Sequence, residues 1–317
     1  MTKQQSILLA LAHLALAGLA AATPGADEPL RVLATVKDLG SIASEIGGDR
    51  VEVTSIARGT ENVHSVAIRP SVLVAANRAD VFLEIGLSLE HAWVPGLLER
   101  ARNARIQPGA PGFCNASVGF EAIEVPDAVD RGRGVDIHPE GNPHLNLDPA
   151  AGRHFAGRIL ATLVAVDPQH REDYELRHAR YIERLDVAEA RWRKALAPLA
   201  GQVVVTYHSE FNYLLRAAGV ESAAVLEPKP GIPPTPAHLA EVIQLMRDRD
   251  VRTVLTAKWS NGRSVRKVAD AVGGAVVELP TMAGGVEGAD TWIASMDAAV
   301  GALVAALAPV EEGSRAP

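Results

Sequence analysis

Short runs of β-branched and other apolar residues alternate along the chain with longer segments in which apolar residues recur every three or four positions. The first pattern is typical of strands, and the second of helices that bury one face. A helix is predicted from about Asp38 to the glycine pair at 47 and 48, and another opens at Pro70. The stretch from 107 to 142 is rich in Gly and Pro and is expected to be mostly loop. The strand-like runs of this first half are RVLATV (31–36), VEVTSIA (51–57) and VFLEIG (81–86).

The second half repeats this alternation from about residue 201 onward. Its strand-like runs are VVVTY (203–207), AAVLE (223–227), TVLTA (253–257) and AVVEL (275–279). Thr235 and Pro236 fit the N-cap and first position of a helix, and a last helix is expected from about 291 to 307. Strands that alternate with helices indicate βαβ units, so the predicted fold class is α/β with parallel sheets in two lobes of similar element order.

A charged segment between the two halves contains no Gly or Pro from residue 169 to residue 197. As one helix of roughly 30 residues it would span on the order of 45 Å, at about 1.5 Å per residue. A flexible linker would instead be short and rich in Gly and Ser. The sequence therefore predicts an N-terminal lobe (23–166) and a C-terminal lobe (201–317), each with a sheet flanked by helices, joined by one long rigid helix (167–200).

The first 22 residues have the features of a secretory signal peptide. Lys3 precedes an apolar run from residue 7 to residue 22, and Ala20 and Ala22 fit an A-x-A cleavage site. A membrane anchor is a weaker interpretation, because the run is short and contains His13. No cysteine lies at the end of the run, so lipid attachment is not expected there. A soluble periplasmic protein is the predicted product.

Composition excludes several classes of partner. The formal net charge is -7, so the composition does not indicate binding to nucleic acid or to an anionic membrane, both of which require clustered basic residues. Aromatic residues make up 4% of the chain, which disfavours a carbohydrate site or a base-stacking platform. Cys114 is the only cysteine, which leaves no internal disulfide and no thiolate metal cluster. A small polar ligand or an ion is therefore expected.

Four side chains with metal-binding chemistry follow predicted strands or stand before a predicted helix. His64 lies beyond the second strand, His208 directly follows VVVTY, Glu227 ends AAVLE, and His144 precedes the helix start at Asp148 in GNPHLNLDP. Open parallel sheets bind ligands at the carboxyl ends of their strands. Imidazole nitrogens and carboxylate oxygens are the ligands of Zn²⁺ and related ions where thiolates are absent. A metal site with two ligands from each lobe is one interpretation, although no compact HExxH pair supports it.

Motifs of the common catalytic sites are missing. The sequence has no GxSxG elbow, no GxxxxGK[ST] phosphate loop and no HExxH pair. A zinc hydrolase remains a rival interpretation, because three histidines and a water also form a catalytic site, in which Glu227 would act as general base.

The residues around these histidines resemble those of the periplasmic substrate-binding proteins of ABC transporters that import zinc or manganese. The resemblance covers nearly the whole chain after the signal peptide. It implies two α/β lobes joined by one long helix, with the metal between them. It also implies that His64, His144 and His208 are ligands, with Glu227 at a position where some members use a carboxylate. The segments that carry it are NVHSVAIRPSVLVAANRADVFLEIGLSLE, GNPHLNLDP, TYHSEFNYLLRAAGV and LEPKPGIPPTPAHL.

One departure from that family concerns the fourth ligand. The family usually supplies an aspartate shortly after the last strand of the C-terminal lobe, but here the region reads VVELPTMAGGVEGAD, with Met282 near the expected place. Glu227 is the preferred substitute, and Asp290, Glu278 and a water are the alternatives. The long loop rich in His and Asp of many zinc members is also absent, and the residues before GNPH, namely His138, Glu140 and Asp136, form at best a short substitute. His138 is a candidate for supporting the ligand residues or recruiting the ion.

The function implied by the resemblance is capture of a divalent metal and delivery to an inner-membrane ABC permease, without catalysis. Zn²⁺ is preferred over manganese or iron because three imidazoles suit it better than they suit ions that favour oxygen. Binding should weaken as pH falls and the imidazoles become protonated. A monomer is expected, with a periplasmic metallochaperone as a further candidate partner, and a role as an adhesin or metal buffer is an alternative within the same fold.

Overall fold

A computed structural model describes residues 28–126, 138–228 and 231–308 of the chain. The predicted signal peptide (1–22) and Asp136 lie outside these ranges. Within them, no helix combines the length and apolar character needed to cross a bilayer.

The first half of the chain alternates four strands with helices, as the hydrophobic pattern predicts. Its elements are β1 (Leu30–Ala34), α1 (Lys37–Gly47), β2 (Val51–Ser55), α2 (Pro70–Arg78), β3 (Val81–Glu84), α3 (Val94–Ala101), β4 (Phe113–Asn115) and α4 (Ala151–Val166).

The second half follows the long helix α5 (Arg171–Leu196) and has the same alternation. Its elements are β5 (Val203–Thr206), α6 (Asn212–Ala218), β6 (Glu221–Val225), α7 (Pro236–Asp248), β7 (Thr253–Thr256), α8 (Gly262–Ala271), β8 (Ala275–Glu278) and α9 (Trp292–Leu307).

Each half contains one four-stranded sheet in which every pairing is parallel. The strand orders are β2-β1-β3-β4 and β6-β5-β7-β8, so the two sheets have equivalent topologies. The inner strands β1, β3, β5 and β7 are almost wholly buried, because helices cover both faces of a parallel sheet. The predicted α/β fold class, with two parallel sheets flanked by helices, is confirmed.

Strand β4 lies within the segment that is predicted to be mostly loop. It has only three residues, of which Cys114 is fully buried while its two neighbours are partly exposed. Phe113 stacks on Phe82 of the neighbouring strand, with ring centroids 6.1 Å apart. Three residues are too few to show the alternation of buried and exposed side chains by which a strand is recognised in a sequence. The pairing with β3, which the sequence does not reveal, defines this edge strand.

The long helix α5 has 26 residues and is extended by 3₁₀ turns at Pro168–His170 and Ala197–Leu199. At about 1.5 Å per residue its α-helical part spans about 39 Å. Arg177 pairs with Asp49 of the first half at 2.7 Å. The Trp192 indole Nε1 donates to Asp297 of α9 at 2.6 Å. The helix is thus attached to elements from both ends of the chain.

The last helix, α9, packs against α5 and against α1 of the first half. Its first residue, Trp292, lies so close to Gly152 of α4 that a Cβ there would be 2.1 Å from the ring. The Trp192 and Trp292 rings meet edge to face, with centroids 5.8 Å apart. The C-terminal end of the chain therefore contributes to the core of the first half, and the lobe limits at 23–166, 167–200 and 201–317 stay a prediction.

A buried carboxylate joins the two halves behind the predicted cleft. Asp38, 1% exposed, accepts hydrogen bonds from Asn146 Nδ2 and from the backbone N–H of Ala283, both at 2.8 Å. Asn146 Nδ2 also donates to the Thr281 carbonyl at 2.7 Å. Nearby, Gly59 touches the backbone of Gly284, where a Cβ on Gly59 would be 2.0 Å from the Gly284 carbonyl carbon. The loops of the two halves are therefore in direct contact.

Replacing Asp38 by alanine should destabilise the protein by about 1–3 kcal/mol at pH 5, because two buried donors lose their acceptor. Burial raises the pKa of Asp38 to about 7, above the ~3.9 of an unfolded aspartate. The stability that this group contributes is therefore complete below about pH 4 and is lost as pH rises through about 7. The cost of Asp38→Ala should be smaller at pH 8 than at pH 5, as measured by urea denaturation.

The matched control is Asp49→Ala, which removes an aspartate whose side chain is 79% exposed from its pair with Arg177. Exposed pairs of this kind contribute about 0–1 kcal/mol. A cost for Asp38→Ala no larger than that of the control, or one that grows from pH 5 to pH 8, would contradict the role given to Asp38.

Candidate metal centre

Three of the four predicted ligand residues converge where the two halves meet. One ligand nitrogen from each of His64, His144 and His208 lies within 4.8 Å of the other two. Their ring centroids are 5.1 Å apart for His64 and His144, 5.1 Å for His144 and His208, and 5.5 Å for His64 and His208. All three side chains are buried, and such a group of nitrogens can bind a divalent cation.

His64 is held by the 3₁₀ turn Val63–Ser65, beyond the end of β2. The Asn62 side chain accepts a hydrogen bond from the His64 backbone N–H at 3.0 Å and so caps this turn. The Trp93 indole donates to the Val63 carbonyl at 2.8 Å. A rigid turn thus carries the first histidine.

His144 is fixed by the asparagine two residues before it. Asn142 Oδ1 accepts from the His144 backbone N–H at 3.0 Å and lies 2.9 Å from ring Nδ1. Because a backbone N–H can only donate, the Asn142 oxygen must face it, and Nδ1 must then carry the ring proton. The lone pair of His144 is therefore on Nε2. Tyr213 secures this loop from the second half by donating to the Asn142 carbonyl at 2.7 Å.

His208 follows β5 and is held by a carboxylate from the adjacent strand. Its Nδ1 lies 3.0 Å from Glu227 Oε2, and the Glu227 backbone N–H donates to the Tyr207 carbonyl at 2.8 Å. A carboxylate that accepts from Nδ1 fixes the tautomer in which Nε2 has no proton, as in carboxylate–histidine–metal arrangements. The second half thus orients its histidine through Glu227.

The electrostatic environment favours the neutral form of His64 and His144. His64 Nε2 and His144 Nε2 are only 3.1 Å apart. Burial lowers the pKa of His64 and of His144 well below the usual range, and the neighbouring histidines lower it further because two imidazolium ions would repel each other. Neutral imidazole is the form that binds a metal, so His64 and His144 are already in their binding-competent protonation state at neutral pH.

The carboxylates that the sequence offers as fourth ligand are not part of this group of histidines. Glu227 contacts Nδ1 of His208 and is not one of the three clustered residues. The Asp290 side chain is 71% exposed and pairs with Lys37 at 2.5 Å. Glu278 is exposed at the end of β8. Neither Asp290 nor Glu278 belongs to the cluster that the described residues form.

His138 lies beside the cluster, as its position near GNPH suggests. Its ring centroid is 5.2 Å from that of His64 and 6.4 Å from that of His144. On its other side is the exposed His91, at 6.2 Å. The location of His138 is compatible with supporting the ligand residues or recruiting the ion, and this role stays a prediction.

One acidic residue of the site is absent from the sequence predictions. Glu210 is 1% exposed and lines a cavity of about 20 Å³ together with His64 and His144. Burial raises its pKa to about 7, against the lowering influence of His208 and of its own backbone N–H. In the sequence, the SEF segment after His208 resembles an ordinary polar helix start. Proximity to a predicted ligand is the only signal that could have identified it.

Comparison with known proteins identifies the family. A family model described as ZnuA, the periplasmic component A of a zinc-uptake complex, matches residues 32–306. The manganese ABC transporter substrate-binding lipoprotein PsaA of Streptococcus pneumoniae is 26% identical over 276 residues, which cover 84% of this chain and 86% of the relative. A putative metal-binding protein of Treponema pallidum (strain Nichols) is 24% identical over 261 residues, 80% of each chain.

Solved structures show the same fold. A crystal structure of ZnuA superposes with a TM-score of 0.74 at 21% identity, covering 88% of this chain and 99% of that one. The Mn-bound periplasmic metal-binding protein of Candidatus Liberibacter asiaticus gives a TM-score of 0.71 at 20% identity, with the same coverage of 88% and 99%.

The family is one of extracytoplasmic binding proteins and not of enzymes, so the zinc hydrolase interpretation is set aside. A divalent metal ion is its ligand, and the names of the relatives divide between zinc and manganese. The chain thus belongs to the ZnuA family of metal-binding substrate-binding proteins of ABC transporters.

Proposed function

We propose that the protein captures Zn²⁺ outside the inner membrane and delivers it to the permease of an ABC transporter. The observation that carries this proposal is the buried group of His64, His144 and His208, whose ligand nitrogens lie within 4.8 Å of one another. Three neutral imidazoles favour zinc over manganese, because manganese prefers oxygen-rich shells and its complexes are weaker in the Irving–Williams order. Manganese or iron remains the alternative cargo within the same family.

Glu227 has a supporting role in this proposal. Its hydrogen bond to His208 Nδ1, at 3.0 Å, favours a residue that orients a ligand over a ligand itself. Asn142 has the equivalent role for His144. Each half of the protein then provides at least one histidine with a fixed tautomer.

Delivery is proposed to proceed with small rearrangements. The long helix α5 and the buried contacts of Asp38 join the halves without a flexible linker. The protein would be exported through its N-terminal 22 residues, act as a periplasmic monomer, and dock on the permease after loading. A periplasmic metallochaperone is a further candidate source of the ion.

Chelator-stripped protein lacking residues 1–22 should bind one Zn²⁺ per chain in a competition titration with a chromophoric chelator. His144→Ala should weaken binding by at least about 100-fold, because even losing an outer-shell partner of a ligand costs about 10–100-fold. His178→Ala, a change to a half-buried histidine of α5, is the control and should leave the affinity unchanged. An unchanged affinity in His144→Ala would remove this residue from the site.

Mn²⁺ should raise the melting temperature of the stripped protein far less than Zn²⁺ does at the same concentration. The reason is that stabilisation by a ligand depends on its concentration relative to Kd, and three nitrogens bind Mn²⁺ more weakly. Differential scanning fluorimetry measures both shifts, and gel filtration should retain Zn²⁺ but not Mn²⁺ on the protein. Equal shifts for the two ions would indicate a manganese protein instead.

Glu227→Gln should reduce zinc affinity less than Glu227→Ala does. Glutamine keeps an oxygen that can accept the His208 Nδ1 proton, whereas alanine removes it. The alanine variant should lose about 10–100-fold, as outer-shell changes do. If Glu227 coordinates the ion directly, the two variants should lose affinity to a similar extent, because an amide oxygen is a poor substitute for a carboxylate ligand.

A further inference from the structure

Glu210 is an exception among the buried acidic side chains of the protein. Neither of its carboxylate oxygens accepts a hydrogen bond of normal geometry from a described residue, although the side chain is 1% exposed. Burying a carboxylate without a partner is costly. Every other buried carboxylate of the described chain has at least one donor, and these are Asp38, Asp80, Glu90, Asp148 and Glu227.

Glu90 illustrates how this chain normally satisfies such a group. Its carboxylate accepts from the Thr35 hydroxyl at 2.7 Å, and from the backbone N–H groups of Ile85 at 2.8 Å and Gly86 at 3.2 Å. Glu210 has nothing comparable. A buried carboxylate whose oxygens accept no hydrogen bond from another described residue points to a partner that arrives from outside.

The position of Glu210 indicates which partner that is. It belongs to the 3₁₀ turn Ser209–Phe211, directly after His208. It lines a cavity of about 20 Å³ with His64 and His144, which is large enough for one ion or water molecule. A divalent cation held by the three imidazoles would lie at the wall of this cavity, and its charge would compensate the carboxylate.

The other acidic residues near the site are already engaged or face solvent. Asp290 pairs with Lys37, and Glu227 is hydrogen-bonded to His208. Glu278 is exposed. Glu210 is not one of the three clustered residues either, so it must turn toward the ion to reach it. Neither of its carboxylate oxygens has a hydrogen-bond partner that such a turn would break.

We propose that Glu210 is the carboxylate ligand that completes the coordination shell of the captured ion, beside His64, His144 and His208. This inference rests on the proposed function. The resulting shell of three nitrogens and one oxygen suits the tetrahedral preference of Zn²⁺. Glu210 also neutralises one of the two charges of the ion, so it favours a dication over a monovalent cation.

The test uses zinc affinity and metal-free stability together. Glu210→Gln should weaken Zn²⁺ binding by about 10-fold or more, on the scale of changes close to a metal. The same change should raise the melting temperature of the stripped protein, because it removes a buried charge without a partner. If Glu210 had only a structural role, its replacement would not weaken zinc binding and at the same time raise the melting temperature of the metal-free protein. Asp290→Asn is the matched control and should change the affinity less than about 2-fold, since that residue is exposed and paired with Lys37.

Two outcomes separate this inference from the function on which it rests. If Glu210→Gln binds zinc as wild type does while His144→Ala does not, Glu210 is not a ligand and the proposed function stands. If wild-type protein itself does not bind zinc, both proposals fail. A crystal structure of the zinc-loaded wild type decides the point even if the variant does not fold. A Glu210 oxygen at about 2.0–2.2 Å from the metal supports the inference, and a water or Asp290 at that position overturns it.

Discussion

The close approach of three buried imidazoles at the point where the two halves meet governs the arrangement at the centre of this protein. His64, His144 and His208 come from separate loops, and isolated from water they would repel each other if protonated. Burial lowers the pKa of His64 and of His144 but does not orient the rings. The orientation of two rings comes from acceptors on Nδ1, an amide oxygen for His144 and a carboxylate for His208. The neighbouring side chains are therefore part of the site's chemistry.

The fold explains how these loops are held at fixed distances. Both sheets have equivalent strand orders, and His208 directly follows the carboxyl end of β5, which is an inner strand. Parallel sheets place such ends at one edge, so two sheets facing each other create a cleft lined by loops from both halves. The buried contacts of Asp38 with Asn146 and Ala283 join the halves close to His144. The spacing of the histidines thus depends also on contacts between the halves that do not involve the histidine side chains.

Much of the fold could be predicted from the sequence because strands buried on both faces leave continuous apolar runs. The cap at Thr235 is a local feature of the same kind, and its hydroxyl accepts from the His238 backbone N–H at 3.2 Å as expected. The convergence of the three histidines could be predicted from their positions after strands or before a helix start, and from the family resemblance. The pairing of Asp290 with Lys37 could not be predicted, since 253 residues separate them in the chain. The only signal for Glu210 was its place two residues after His208, because the sequence of a turn does not reveal which of its side chains faces inward.

The packing of α9 has a consequence for how the protein is made. This helix lies at the C-terminal end of the described chain, yet it packs on α1 and α5 and places Trp292 against Gly152. Chains emerge from the ribosome N-terminal end first. The first half therefore cannot complete its core until α9 has been synthesised, after both sheets. The halves are thus expected to unfold together in one cooperative transition, because neither the first half nor α9 buries its apolar surface without the other.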